Sequence, residues 1–304
     1  MVLQTRILPF DADSIAEAAR VVLSGEPVAV PTETVYGLAA DATNASAVAR
    51  IYEAKGRPSF NPLIIHVANI EVAERIGEFC DFARKLAEEH WPGPLTLVVP
   101  RRENAGIASL ATAGLQSVGL RVPNHPAMQA LLQATGRPLA APSANASGTI
   151  SPTRAEHVAR SLSGRIALII DGGPTERGLE STIVAATDGE LRLLRPGPIQ
   201  LQAETAFSGR IEAPGQMASH YAPAKPLRLN ATSANEGEYM IGFGAIQGES
   251  NLSPSGSLTE AAARLFDLLH EADSSSKARI AIAPVTNEGL GIAINDRLRR
   301  AAAA

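Results

Sequence analysis

The chain has 304 residues, of which 45% are hydrophobic, 19% charged and only 4% aromatic, and its net charge is -4. That length suits two domains with aliphatic, alanine-rich cores. Residues 1–212 hold 19 Lys/Arg against 22 Asp/Glu and residues 213–304 hold 8 against 9, which argues against a strongly basic nucleic-acid protein while leaving room for a local basic cleft.

Residues 1–14 lack the charged-then-apolar layout of a secretory signal, and no run of 18 apolar residues exists, so a soluble, cytoplasmic protein is expected. Asp13 is placed to cap a helix ending near Ser24. The apolar run 27–31 reads as a buried strand, 46–54 as a helix and 63–67 as the next strand. Residues 70–90 read as helical with a break at 79–81. Cys80 lies there; as the only cysteine it can build neither a disulfide framework nor a Cys-based zinc site, which fits a reducing compartment. Trp91-Pro92-Gly93-Pro94 stops the helix before a strand at 95–99. Further short strands are expected at 118–122, 138–141 and 166–170, with helices at 126–134 and 152–162. Ser151 would cap the latter, with Pro152 in its first position. Segments 182–186 and 190–194 flank Asp188-Gly189, a hairpin signal.

This alternation predicts a twisted, mixed α/β sheet with helices packed on it, spanning residues 1–205. Residues 206–224, rich in Gly, Ala, Ser and Pro and without periodicity, read as a linker. A second alternating pattern fills 225–304: strands at 227–229, 240–243 and 279–285, and helices at 258–271 and 290–300. It predicts a small Rossmann-like α/β domain. Gly242-Phe243-Gly244 lacks the third glycine of a dinucleotide loop, and Asp273-Ser274-Ser275-Ser276 reads as a turn.

Two stretches carry chemistry. PTETVYGLAADA (31–42) puts three hydroxyls, Thr32, Thr34 and Tyr36, and the carboxylate of Glu33 at a strand end, where α/β sheets usually bind ligands; Gly37 is expected to relax the turn. KGRPSFNPLIIHV (55–67) adds Lys55 and Arg57. Gly56 and Pro58 disfavour a regular helix there, so both cations are expected on a shaped loop. Asn61 and His66 follow. Hydroxyls, paired cations, an amide and a histidine on consecutive strand ends suit a small molecule carrying phosphate and carboxylate. Taken singly, each residue has an ordinary structural reading: turn hydroxyls for Thr32 and Thr34, a solvated helix end for Lys55 and Arg57, a core histidine for His66. Arg121, ending an apolar strand, is costly to bury without a carboxylate from the protein or a ligand. No P-loop, no HExxH zinc motif and no GxSxG elbow is present, so P-loop chemistry, a protein-held zinc and a hydrolase-type serine are not indicated.

These residues resemble the YrdC-type threonylcarbamoyl-AMP synthases in their long, two-domain form. The match continues in order through SVGLRVPNHP (117–126), APSANASG (141–148), SPT (151–153), DGGP (171–174), LESTIV (179–184), LRPG (194–197) and HYAP (220–223). It is strong over roughly residues 10–225 and looser beyond. The resemblance implies a nucleotidyltransferase that joins L-threonine, bicarbonate and ATP into L-threonylcarbamoyl-AMP and pyrophosphate. The product serves a tRNA-modifying transferase complex that acts on the adenosine next to the anticodon. Lys55 and Arg57 would stabilise phosphate charge. Thr34, His66, Arg121 and Ser181 would hold threonine. Arg57, Asn61, Ser117, Ser143, Asn145, Ser151, Arg195 and Tyr221 would contact ATP, with Mg²⁺ arriving with the nucleotide near Asn145. Ser117 and Ser181 stand where relatives often have Thr, keeping the hydroxyl; Ala141 replaces a Thr of some relatives and loses a side-chain contact. A non-catalytic, double-stranded-RNA-binding or ribosome-maturation module is the alternative; the acidic balance and the lack of an aromatic–basic stripe speak against tight nucleic-acid binding. A hydrogenase-maturation carbamoyl-transfer unit would need zinc fingers, which one cysteine rules out.

Overall fold

The structure is a computed structural model that describes residues 3–58, 61–187, 190–201, 204–205, 212–214 and 220–303. The first domain runs β1 (Arg6–Pro9), α1 (Ala12–Leu23), β2 (Val28–Val30), β3 (Gly37–Asp41), α2 (Ala45–Lys55), β4 (Ile64–His66), α3 (Ile70–Ile76), α4 (Asp81–His90), β5 (Leu95–Pro100), β6 (Ser117–Arg121), α5 (Pro126–Thr135), β7 (Leu139–Ala140), α6 (Ala155–Leu162), β8 (Leu168–Asp171), β9 (Thr182–Thr187), β10 (Glu190–Arg195) and β11 (Glu204–Thr205). The second runs β12 (Leu227–Arg228), β13 (Glu238–Gly242), β14 (Ser250–Asn251), α7 (Leu258–Ser274), β15 (Arg279–Ile282) and α8 (Leu290–Ala301).

Among the described residues the first sheet has eleven strands in the order β1-β8-β2-β3-β7-β4-β6-β5-β9-β10-β11 and mixes parallel and antiparallel pairs. This is the expected twisted mixed sheet. The second sheet, β12-β15-β13-β14, is wholly parallel, as a Rossmann-like unit requires. The apolar core of the first domain is aliphatic, with Ile51, Leu63, Ile65, Leu97 and Leu120 fully buried.

Several local expectations shift. Asp11, not Asp13, caps α1; its carboxylate accepts from Ser14 N at 2.8 Å. The helix expected at 152–162 starts only at Ala155, and Ser151 does not cap it, because the Ser151 hydroxyl is spent on Glu180. Strands β1 and β3 had no sequence signal. β3 is a run of small residues buried along its whole length, without the alternation that marks a half-buried strand. Gly37 therefore begins a strand rather than relaxing a turn. β2 and β3 pair antiparallel, so residues 31–36 form the loop of a hairpin. β9 and β10 pair antiparallel as expected; the Asp188-Gly189 turn lies outside the described residues. So do most of the residues expected to form the linker, of which 212–214 and 220–224 are described. Helix α7 extends through Ser274, so the expected Asp273–Ser276 turn begins later.

The two domains share a core. Val35, Ile150 and Leu179 from the first pack with Tyr221, Phe266, Leu265 and Ile294. Polar contacts edge this seam: Arg154 donates from Nε and Nη2 to the two Asp267 oxygens at 2.8 and 3.2 Å, and the His157 and His270 rings stack 3.8 Å apart.

Candidate active site

A narrow cleft opens where the β2–β3 loop meets the ends of β4 and β6, the strand-end position at which α/β sheets bind small molecules. The hairpin loop is held by its own hydroxyls. Thr32 Oγ1 donates to Val35 O at 2.7 Å and sits 2.8 Å from Thr34 Oγ1, while Tyr36 donates to Gly173 O at 2.7 Å. Thr32 and Thr34 both line the cleft.

β4 and β6 run parallel with His66 opposite Arg121, so strand register alone brings these two side chains together. Arg121 is 4% exposed. Its Nη2 donates to Thr34 Oγ1 at 3.0 Å and its Nε to Gly93 O at 3.2 Å. Arg121 Nη2 also lies 2.7 Å from Glu33 Oε1. The angle is poor, and neither Glu33 oxygen accepts a hydrogen bond although the carboxylate is buried. Glu33 is thus the protein carboxylate that lets Arg121 be buried. Burial, with the Arg121 charge beside it, lowers the His66 pKa to about 3, so the ring is neutral at ordinary pH, and its Nδ1 has no partner.

The cations gather on the other side. Lys55 is the last residue of α2, and Gly56 closes that helix in the left-handed region at φ +58°. The expected shaped loop therefore holds Arg57 but not Lys55, which ends the helix and is 2% exposed. Its ammonium donates to Ser143 O at 2.6 Å and to Asn145 O, while Ser147 N donates back to Lys55 O at 2.7 Å. Burial, then the charge of Arg57, lowers the Lys55 pKa well below its usual value. Arg57, 8% exposed, donates to Pro62 O at 3.1 Å, and burial lowers its pKa to about 10. Arg195 is held by Ser181, from Nε to the carbonyl and from Nη2 to Oγ, both at 3.0 Å.

The structure brings Thr34, Arg57, His66, Arg121, Ser143, Arg195 and Tyr221 onto the cleft wall. Lys55, Asn61, Asn145, Ser151 and Ser181 stand directly behind it, each bonded to a wall residue or its neighbour. Ser117 alone lines a separate small cavity that shares Ile64 and Pro214 with the cleft. The residues around Asn145 do not fit a metal. Asn145 Oδ1 faces the Lys55 ammonium at 3.4 Å, and its Nδ2 donates to Thr149 O at 2.8 Å. Among the described residues no group of three or more acidic, His or Cys side chains could cage a metal; a Mg²⁺ that arrives with a nucleotide takes its oxygens mainly from phosphates and water.

Sequence reasoning missed two wall residues. Glu180 accepts from Ser151 Oγ at 2.5 Å and from Arg297 Nε at 2.8 Å. Burial raises its pKa, but Arg297 and Arg195 outweigh that and lower it. Its signal was its place beside Ser181. His220, next to Tyr221 in HYAP, also faces the cleft; burial lowers its pKa to about 3.

Residues 20–197 match the family model described as telomere recombination (Sua5/YciO/YrdC), and residues 179–303 match the threonylcarbamoyl-AMP synthase C-terminal domain. The chain is 40% identical to the threonylcarbamoyl-AMP synthase of Bacillus subtilis, over 95% of this chain and 92% of that protein. It is 39% identical to that of Pyrococcus abyssi, over 93% and 92%. The crystal structure of P. abyssi Sua5 complexed with L-threonine superimposes with a TM-score of 0.88 at 36% identity, covering 99% of this chain and 98% of the other. Escherichia coli YciO, at 21% identity and a TM-score of 0.57 over 66% of this chain and 98% of its own, shares the fold of the first domain. Two family models that together run nearly end to end, and about 40% identity over nearly the whole length, lead to one conclusion: this chain belongs to the Sua5/YrdC family of threonylcarbamoyl-AMP synthases.

Proposed function

We propose that this protein condenses L-threonine, bicarbonate and ATP into L-threonylcarbamoyl-AMP, releasing pyrophosphate, and passes the product to a transferase that modifies tRNA. The observation that carries this reading is charge. Lys55, Arg57, Arg121 and Arg195 are all buried around one cleft, and among the described residues Glu33 and Glu180 are the buried carboxylates beside them. Buried cations in such excess call for an anionic ligand. A non-catalytic RNA-binding module fits less well, since phosphate-backbone binding draws on exposed cations.

The reaction needs no protein nucleophile. The threonine amine attacks the bicarbonate carbon; water leaves and a carbamate forms. A carbamate oxygen then attacks the α-phosphorus of ATP, and pyrophosphate leaves. Arg121 takes the threonine carboxylate, a planar pairing suited to a guanidinium, and Thr34, Ser181 and the neutral His66 surround the rest of the amino acid. Lys55 and Arg57 neutralise the phosphates and the charge that develops in transfer, held in advance by carbonyl groups of the cleft. Arg57, Ser143 and Arg195 face the nucleotide, with Asn61, Asn145 and Ser151 supporting them. Ser117 meets only a nucleotide that extends past Ile64. Mg²⁺ would enter as part of the nucleotide complex, held by phosphates and water. Pro214, His220 and Tyr221 close one side of the cleft, where they shield a hydrolysable adenylate from water. No described helix is long and apolar enough to cross a membrane, and a tRNA-linked role fits the cytoplasm.

The test is pyrophosphate release by the purified protein, with and without each substrate. Release that requires both L-threonine and bicarbonate supports the proposal. Equal release without amino acid refutes it. Weak release with serine is tolerable, because one methyl group gives only about 1–3 kcal/mol of discrimination.

A further inference from the structure

The second domain sends one buried guanidinium to the cleft wall. Arg297, on α8, is fully buried. Its Nε donates to Glu180 Oε2 at 2.8 Å and its Nη1 to Asp296 Oδ2 at 2.8 Å. Asp296 is fixed in turn by Arg300 Nε at 3.0 Å. The guanidinium carbon lies 5.3 Å from the centre of the Tyr221 ring, within cation–π range, and Nη2 has no hydrogen-bond partner. Burying a guanidinium costs several kcal/mol unless it is well paired. Fastening the domains does not require that cost, because the apolar seam around Leu179 and Phe266 and the Arg154–Asp267 pair already do so.

Both cleft-side partners of Arg297 are wall residues. Glu180 uses its other oxygen for Ser151. Tyr221 adopts φ +67°, a left-handed conformation that costs a non-glycine residue roughly 1–2 kcal/mol. Its surroundings must hold it there. Those surroundings are the His220 ring at 4.1 Å, the Phe266 ring at 5.6 Å and the Arg297 guanidinium. Two of these three, Phe266 and Arg297, belong to the second domain.

We propose that Arg297 is a positioning residue supplied by the second domain: it fixes Glu180 and seats the Tyr221 ring on the nucleotide side of the cleft, so that ATP binding, but not threonine binding, depends on that domain. This inference rests on the reading of the cleft given above. The charges are consistent with it. Burial opposes the Arg297 charge, and Tyr221, Glu180 and Asp296 together overcome that and raise its pKa. The cation that faces Tyr221 is therefore permanent.

The experiment compares wild type with Arg297→Met, Arg297→Lys and the double variant Glu180→Gln/Arg297→Met. KM values for ATP and threonine come from pyrophosphate release, and threonine binding without nucleotide from calorimetry. Arg297→Met should raise the KM for ATP at least tenfold and leave threonine affinity within twofold. Arg297→Lys should recover part of the loss. The double variant removes both members of the Arg297–Glu180 pair, so neither is left without the other; it should fold and keep the ATP defect, because Tyr221 has still lost its cation. A KM for ATP within twofold of wild type in either Met variant overturns the proposal. So does loss of threonine binding together with ATP binding in a folded variant, which would make Arg297 a general structural pin. If Arg297→Met does not fold, the double variant decides. A wild type that releases no pyrophosphate overturns the reaction itself, and this inference with it.

Discussion

Replacing Lys55 by Met tests the cation that the cleft buries most deeply. The substitution keeps the length of the stem and removes the ammonium. Two backbone carbonyls, of Ser143 and Asn145, lose a donor, at about 1–3 kcal/mol each. Against this, the protein no longer buries an ammonium that has no carboxylate partner, a relief of several kcal/mol (order of magnitude). The terms nearly cancel, so the net change should stay within about 2 kcal/mol, or roughly 8 °C in Tm for a domain of this size. Catalysis has no such offset. Removing a preorganised charge-stabilising group costs about 10²–10³ in rate. Turnover should be followed as pyrophosphate release at saturating threonine, bicarbonate and ATP, beside thermal melts. There is also a pH signature. The folded pKa of Lys55 lies below its unfolded value, so between the two the unfolded state binds more protons and stability rises with pH. That contribution is lost as pH falls toward the folded pKa, and Lys55→Met should lack it. A folded variant that retains more than a tenth of wild-type turnover would refute the catalytic role. A collapse in Tm far beyond 8 °C would show that Lys55 mainly pins the Ser143–Asn145 loop.

Arg121→Lys loses the forked donors that reach Thr34 and Gly93; it should raise the KM for threonine roughly 10–100-fold with little change for ATP, and an equal rise for both substrates would contradict its assignment. Burial lowers the pKa of His66, His157 and His220 to about 3 and of His270 to about 4. The unfolded state therefore binds more protons below about pH 6.5, so Tm should fall steadily as pH drops from 7 to 4.5, and a flat profile would mean that these rings are not desolvated. Gly178 sits at φ +67°, and an added Cβ would lie 2.4 Å from Ala263 O and 2.5 Å from Ala262 O in α7. Gly178→Ala should cost about 1–3 kcal/mol or more and loosen the domain seam, read as a lower Tm and faster proteolysis between the domains; an unchanged Tm would mean the seam yields freely.

The sequence by itself determined most of the strands and helices, the mixed α/β class and most of the residues that gather at the cleft. These are local properties. Apolar runs bounded by Gly and Pro, a Gly at a helix end and ordered motifs are legible within a few residues of one another. The parallel pairing of β4 with β6, a tertiary contact between distant segments, then set His66 opposite Arg121. The tertiary structure alone decided what those residues touch. Strand β1 exists because β8, some 160 residues later, offers it a partner, and β3 because both its faces are covered, so neither has a period to read. Ser151 looked like a helix cap until Glu180, 29 residues on, took its hydroxyl. Lys55 read as part of a loop, but it ends a helix, and the loop after β7 supplies the carbonyls that hold it. Glu180 and Arg297 are 117 residues apart. A propensity describes a residue among its chain neighbours, whereas the energy of a buried charge depends on which distant group arrives to pair with it.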